Sequence, residues 1–84
     1  MENCTLEQFN LENFLAGKYK GFQTRNGTKV TTVTHFPDAT NGDFQLAGVS
    51  HDGKSDIDTW AHDGFFWESK RESSLDLFAW KSNN

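Results

Sequence analysis

The sequence predicts a mainly β fold: a small SH3-like barrel or a curled antiparallel sheet of five to six strands, with one short N-terminal helix. Four Asx-Gly pairs divide the chain into short runs rich in Thr, Val and aromatic residues, and spacing of roughly 8–12 residues between strands is typical of small β domains. A length of 84 residues fits a single domain, 1–84. The apolar residues are weighted toward large rings, with eight Phe, three Trp and one Tyr, which bury much area per residue.

The N-terminal helix is expected at about residues 10–16. Asn10 is a favourable N-cap, and Phe9 and Phe14 have the spacing of a hydrophobic staple, in which the residue before the cap packs on the fourth helical residue. A capping box that begins at Thr5 offers an earlier start, so the first residue of the helix stays open.

The β domain is expected from about residue 18 to residue 80, followed by a frayed tail at 81–84. Asn26-Gly27 lies between two strand-like runs and predicts a hairpin, because both residues of the tightest turns must accept a positive φ. Pro37 and the following "DATNGD" predict a loop. The later strands are expected in the runs "FQLAGVS", "SDIDTW", "FFWESK" and "LDLFAW".

The tripeptide His-Asp-Gly occurs twice, as residues 51–53 and 62–64, and invites a catalytic or metal-binding interpretation. Both copies fall where two strand-like runs need a reversal, and Asp-Gly suits such turns. A metal site built from His51, His62, Asp56 and Asp58 matches no recognised ligand spacing. We therefore interpret both copies as turns and predict no catalytic residue, no metal ligand and no cofactor; the protein is not expected to be an enzyme.

Charge is unevenly distributed along the chain. The formal net charge is −4, which disfavours duplex nucleic acid as a partner. Four basic residues nevertheless come together without an intervening acid, and the stretch from Asp38 to Asp63 holds six Asp against Lys54 alone. The basic group consists of Lys18, Lys20, Arg25 and Lys29. No apolar run approaches the length of a membrane span or a signal peptide, so we expect no membrane association and a cytoplasmic location.

Phe65-Phe66-Trp67 would, on a strand, place rings on both faces of the sheet. Trp60 and Trp80 raise the same question, since each ends a strand-like run. These rings can belong to the core, to a subunit interface or to a ligand-binding surface, and the sequence leaves all three alternatives open. Because a chain of this size buries a small core, we expect a homodimer or larger oligomer, with Phe66 or Trp67 at the interface.

The order "FNLENFLAG … TRNGTKV … LAGV … DTWAHDGFFW … SLDLF" resembles a family of small bacteriophage accessory proteins. Its members typically show Leu-Ala-Gly at a helix end, Thr-Arg-Asp-Gly, Trp-x-x-Asp-Gly-aromatic and Asp-Leu-Phe. The resemblance covers roughly residues 9–78. It departs from the pattern at Asn26, where the family usually has Asp, and in the lengthened segments "KYKGF" and "FPDATNGD". It implies a phage protein, acting in the cytoplasm of an infected bacterium, and by analogy with other small phage proteins one that counters host immunity.

Two functions follow from that resemblance. The first is a binding protein that sequesters a small nucleotide signal, with Trp60, Phe66 and Trp67 stacking on a base and Arg25 and Lys29 contacting phosphates. The second is an inhibitor that binds a host defence protein through the acidic surface of residues 38–63. The basic group favours the first function, and the acidic half favours the second.

Overall fold

A computed structural model describes residues 4–38, 45–67 and 71–82, and shows one open antiparallel sheet of six strands with one short helix. The strand order is β1-β6-β2-β3-β4-β5. The elements are β1 (Cys4–Gln8), α1 (Leu11–Leu15), β2 (Tyr19–Thr24), β3 (Lys29–His35), β4 (Leu46–His51), β5 (Ser55–Trp60) and β6 (Leu77–Ser82). The predicted fold class is confirmed as an open sheet: within the described residues β1 and β5 form its two edges and do not pair to close a barrel.

The helix α1 begins as predicted at the Asn10 cap. The Asn10 side chain accepts a hydrogen bond from the Asn13 backbone N–H at 3.0 Å. The rings of Phe9 and Phe14 lie 5.3 Å apart, which is the predicted hydrophobic staple. Gly17, just past the helix, has a φ of 73°, a left-handed conformation that glycine adopts without steric strain.

A second anchor ties α1 and its cap to the sheet. The Tyr19 hydroxyl donates to Glu7 Oε2 at 2.6 Å and accepts from the Asn10 N–H at 2.9 Å, while Asn13 Nδ2 donates to the same Glu7 oxygen at 2.9 Å. Burial and then the bond to Glu7 raise the pKa of Tyr19 to about 12. The Tyr19 hydrogen bond is also the main reason that the pKa of Glu7 is lowered from its usual 4.5. Helix and sheet are therefore joined by a charge-assisted hydrogen bond.

Two of the predicted turns share one hydrogen-bond pattern. In the β2–β3 hairpin, Thr24 N–H donates to Thr28 O at 2.8 Å and Gly27 N–H to Thr24 O at 2.9 Å. Asn26 is not at positive φ, whereas Gly27 is, at 93°. The turn is therefore a three-residue loop closed by a left-handed glycine, not the two-residue turn that the Asn-Gly signal predicted.

The second His-Asp-Gly repeats this pattern. Ala61 N–H donates to Phe65 O at 2.9 Å, Gly64 N–H donates to Ala61 O at 2.8 Å, and Gly64 has a φ of 89°. Gly53 of the first copy has a φ of 105° in the β4–β5 turn. The interpretation of both copies as turns agrees with these conformations. The fourth pair, Asn41-Gly42, lies outside the described residues.

Three sequence-based expectations differ from the structure. β1 precedes the helix and was not predicted, because its partner β6 lies at the other end of the chain and leaves no local signal. Lys81 and Ser82, expected in the frayed tail, belong to β6 and pair with β1. Residues 65–67 form no strand: Phe66 N–H donates instead to Asp76 Oδ1 at 2.9 Å, which fixes an irregular segment. The remainder of that run, residues 68–70, lies outside the described residues.

The core lies on one face of the sheet, beneath α1 and the segment before β6. Its fully buried centre consists of Phe9, Val30, Leu46, Trp60 and Leu77. Leu11 and Phe14 of the helix pack against this cluster, as does Phe66. This arrangement leaves the opposite face without a covering layer from the described parts of the chain.

Candidate functional site: an open-face groove

The face opposite the helix carries a mostly polar row of side chains across the whole sheet, interrupted by Phe78. Phe22 and Val30 belong to the core side, so their strand neighbours Gln23 and Lys29 point to the opposite face. The pairing register extends this row through all six strands. Its members are Gln8, Phe78, Gln23, Lys29, His51 and Ser55.

The adjacent row on the same face is largely apolar. On β6, Trp80 pairs with Leu6 on one side and with Gly21 on the other. Further along, Val49 pairs with Thr31 and with Ile57. Since Gly21 has no side chain, no atoms beyond the backbone fill the space beside the Trp80 ring on this strand, and a groove forms there.

The groove has a volume of ≈ 590 Å³. This lies within the roughly 300–1,000 Å³ typical of small-molecule sites. Its walls supply a large ring, two lysines and several hydroxyl or amide groups. The lining residues are Tyr19, Lys20, Gly21, Phe22, Gln23, Gly27, Lys29, Val30, Thr31, Thr32 and Trp80. A flat apolar surface is thus combined with cationic and neutral hydrogen-bond donors.

One wall of the groove is strained. Thr32 has a φ of 57°, and the pairing of β3 with β4 shifts between Thr31 and Thr34. A β-branched residue in the left-handed region is unfavourable by about 1–3 kcal/mol. Such strain persists where the surrounding structure imposes it, and bulges often occur beside binding sites because they redirect side chains. The strained position therefore adds to the case for this groove.

Only one of the five ligand-binding residues predicted from the sequence lines the groove. Lys29 does so, on the polar row. Trp60 is fully buried, and its indole N–H donates to Leu75 O at 2.7 Å, so the folded chain presents no free face of this ring. The structure does not bring Lys29 together with Trp60, Phe66 and Trp67 in one site.

Arg25 has structural partners at every guanidinium nitrogen. Nη2 lies 3.0 Å from Asp76 Oδ2, Nη1 lies 3.1 Å from Glu72 Oε1, and Nε donates to Ser73 O at 3.0 Å. The guanidinium also stacks over Phe78, with 4.8 Å between Cζ and the ring centroid. In this arrangement Arg25 holds β2 against the segment before β6.

Asp76 is the buried counterpart of Arg25. Its side chain is completely inaccessible and accepts hydrogen bonds from the backbone N–H groups of Phe66 and Ser73 as well as from Arg25. No buried side-chain nitrogen or oxygen in the described parts of the chain lacks a partner. This carboxylate therefore organises the irregular segment that replaces the expected "FFW" strand.

Phe66 and Trp67 form a separate aromatic pair. Their rings meet edge to face at 5.1 Å, Phe66 packs on the core, and Trp67 is 45% exposed. Arg71 lies over the Trp67 ring at 5.6 Å. This exposed indole is available to a partner, but it lies outside the groove.

The first histidine of the repeated tripeptide has a local structural role, and the second, His62, is half-buried. His51 contacts the hydroxyls of Thr31 at 2.9 Å and Ser55 at 3.1 Å on the sheet surface. Across residues 4–38, 45–67 and 71–82, no three His, Cys, Asp or Glu side chains are grouped so that they could hold a metal ion.

Trp80, Lys20 and Gln23 line the groove but were not among the ligand-binding residues predicted from the sequence. A signal for Trp80 exists in "LFAW": Leu77 and Ala79 alternate with Phe78 and Trp80, so the two rings share the face opposite the buried residues. The position of Lys20 depends on the irregular pairing between Tyr19 and Gly21, which no local pattern indicates, whereas Gln23 alternates regularly with the core-side Phe22.

Together these features define a small protein built on one antiparallel sheet, with its core on one face and a groove on the other. The sequence profile of the family described as Haemophilus phage HP1 protein YO09 matches residues 6–83, and the chain belongs to this phage protein family. No curated protein and no solved structure gives a significant match to the chain. The resemblance to small bacteriophage proteins is confirmed at this level. No helix within the described residues has the length and apolar character needed to cross a membrane.

Proposed function

We propose that this phage protein is a non-enzymatic, counter-defence binding protein that sequesters a small nucleotide-like signal in the open-face groove, in the cytoplasm of an infected bacterium. The observation that carries the proposal is the groove itself, which Trp80 lines together with Lys20 and Lys29. Lys29 keeps the phosphate role expected from the sequence, while Lys20 and Trp80 take the places first assigned to Arg25 and Trp60.

The chemistry of the groove suits a base and a phosphate. Stacking of a base on an aromatic side chain contributes about 1–3 kcal/mol. Lysine ammonium groups bind phosphate as point charges, and the amide of Gln23 and the hydroxyl of Thr31 add hydrogen bonds that discriminate between bases. Because the chain carries a net charge of −4, a compact anion in the groove is favoured over a long polyanion such as duplex nucleic acid.

Calorimetry with a panel of linear and cyclic nucleotides tests this proposal. Trp80→Ala should weaken the affinity for the tightest ligand by about tenfold or more, the equivalent of about 1.4 kcal/mol of stacking. Trp67→Ala is the matched control, because this exposed tryptophan lies outside the groove. Lys29→Ala and Lys54→Ala form a second pair, since Lys54 lies in the β4–β5 turn and does not line the groove.

The outcome that contradicts the proposal is equally defined. Either no nucleotide binds to the wild type, or Trp80→Ala and Lys29→Ala bind as tightly as their controls while circular dichroism shows a folded sheet.

Native mass spectrometry of protein purified from cells reports a retained small molecule and the number of subunits in one measurement. We propose a homo-oligomer in which the exposed Trp67 lies at the interface; a monomer mass at high protein concentration would contradict this.

A second candidate function is an inhibitor that binds a host defence protein through its acidic surface. The observation that favours it is the acidic edge of the sheet at β5, where Asp56 and Asp58 lie on one face of an exposed strand. Absence of nucleotide binding, with retained binding to a basic protein surface, would make this the better account.

A further inference from the structure

The strand β5 ends the sheet and is its most exposed part. It pairs with β4 on one side, and within the described residues no strand pairs with its other side. Residues 55–57 are all exposed, and Ile57 has 76% of its surface in contact with solvent. An unpaired edge presents backbone N–H and C=O groups that can bind another extended chain.

The side chains of β5 have a simple pattern. Asp56 and Asp58 pair with Ser50 and Gly48, so both point to the same face of the sheet. Ile57 pairs with Val49 and points to the other face. Asp58 Oδ2 accepts from Ser50 Oγ at 2.6 Å, and Asp56 is 3.9 Å from the exposed Lys54. The edge therefore offers one apolar side chain between two carboxylates.

This pattern opposes pairing of β5 with a second copy of itself. An antiparallel register that sets Ile57 opposite Ile57 also sets Asp56 directly opposite Asp58, twice. A register shifted by two residues sets Asp56 opposite Asp56. Like charges in directly opposed positions destabilise a sheet, so self-association through this edge is disfavoured.

We propose that β5 binds an extended segment of another protein, added as a seventh strand, in which basic side chains alternate with apolar ones. Lys or Arg would lie opposite Asp56 and Asp58, and an apolar side chain would extend the pair formed by Ile57 and Val49. Backbone hydrogen bonds supply affinity and the alternating side chains supply specificity, as in other cases of strand addition. This site is independent of the groove and does not need a nucleotide.

The test uses the full chain and three capped peptides in an NMR titration. The probe is Lys-Val-Lys-Val-Lys-Val-Lys. One control peptide has Glu in place of every Lys, and the other has the probe sequence with alternate backbone amides N-methylated, which blocks pairing but keeps the charge. Binding of the probe should shift the backbone amide signals of Ser55–Thr59 and protect them from exchange. Both controls should bind at least tenfold more weakly.

Protein variants locate the contact. Asp56→Lys and Ile57→Lys change exposed side chains and should each weaken probe binding about tenfold or more. The first variant sets like charges opposite each other, and the second replaces the apolar side chain that contacts the probe valine with a lysine. Glu12→Lys makes the same charge change as Asp56→Lys on the helix and should bind normally. Trp80→Ala should also bind the peptide normally, which separates this proposal from ligand binding in the groove.

Several outcomes would overturn the proposal. These are a probe affinity weaker than about 1 mM, equal binding by the N-methylated peptide, or shifts centred on groove residues instead of β5. A wild-type dimer that Ile57→Lys dissociates would overturn it as well, because the edge would then be occupied by a second copy.

Discussion

Replacing Arg25 with Met leaves the buried carboxylate of Asp76 without its cationic partner, while a side chain of similar length still covers the Phe78 ring. Loss of one partner from a buried ion pair destabilises a protein by about 3–5 kcal/mol. The Arg25 side chain is 32% exposed, and Asp76 keeps the N–H groups of Phe66 and Ser73, so we expect the lower end, about 3 kcal/mol. For a domain of this size, the melting temperature should fall by roughly 12–24 °C.

Urea unfolding followed by tryptophan fluorescence measures this loss directly. Trp60 is a suitable reporter, because its indole N–H donates to Leu75 O, next to Asp76. Arg71→Met is the matched control: it removes an arginine that stacks on the exposed Trp67, and should change the free energy of unfolding by less than about 0.5 kcal/mol. An Arg25→Met protein within about 1 kcal/mol of the wild type, or equal losses in both variants, would refute the assignment of Arg25 as a structural residue.

The same variant separates structure from binding. At a temperature where Arg25→Met is folded, its affinity for a nucleotide should equal that of the wild type, because the groove is lined by other residues. The sequence alone gave the opposite expectation, a phosphate contact from Arg25. A folded Arg25→Met protein that has lost nucleotide binding would restore that expectation.

Three further outcomes follow from local geometry. Tyr19→Phe should lower the free energy of unfolding by about 1 kcal/mol, because it removes the hydrogen bond to Glu7. This bond lowers the pKa of Glu7, so its contribution to stability is present above pH 4.5 and is lost as the pH falls through the lowered pKa. Acid unfolding curves of Tyr19→Phe that match those of the wild type would contradict this reasoning. Gly64→Ala should lower the melting temperature more than Gly27→Ala. Both glycines have positive φ, but at Gly64 an added Cβ would lie 2.7 Å from Phe9 Cβ, whereas at Gly27 it would meet nothing within 4 Å. Equal losses of melting temperature in the two variants would argue against this packing. His62→Gln should leave stability within about 0.5 kcal/mol and binding unchanged, and loss of function in the folded variant would overturn the turn interpretation.

Local chemistry made the helix and the turns predictable. The Asn10 cap, the Phe9–Phe14 contact and the left-handed glycines each depend on residues close together in sequence, and all are present. The limit is visible in the β2–β3 turn. Asn-Gly indicated a reversal, but the hydrogen bond from Thr24 N–H to Thr28 O makes the loop one residue longer than the signal suggested.

Features that depend on distant pairing were not predictable. β1 exists because it pairs with β6, and "FFW" is not a strand because Asp76 accepts the Phe66 N–H. Trp60 and Trp80 end similar runs in the sequence. The alternation in "LFAW" places Trp80 on the same face as Phe78, but only the pairing register shows that this face carries the groove beside Gly21 and that Trp60 is buried opposite Leu46. A one-residue difference in phase exchanges the two faces, so the candidate site could be located only with the sheet in hand.

Several short motifs of the sequence belong to the scaffold. Arg25 of "TRNG" and Asp76 of "DLF" are the two halves of one ion pair, although 51 positions separate them. Trp60 is buried, and Gly64 fits against Phe9.

The groove residues Lys20, Lys29 and Trp80, and the edge residues Asp56 and Ile57, lie outside the buried ion pair and the core cluster. Substitutions at these five positions should therefore change binding at little expense in stability, whereas substitutions of Arg25, Asp76, Trp60 or Gly64 should do the reverse. The two proposed sites are thus testable on a scaffold that the variants leave intact.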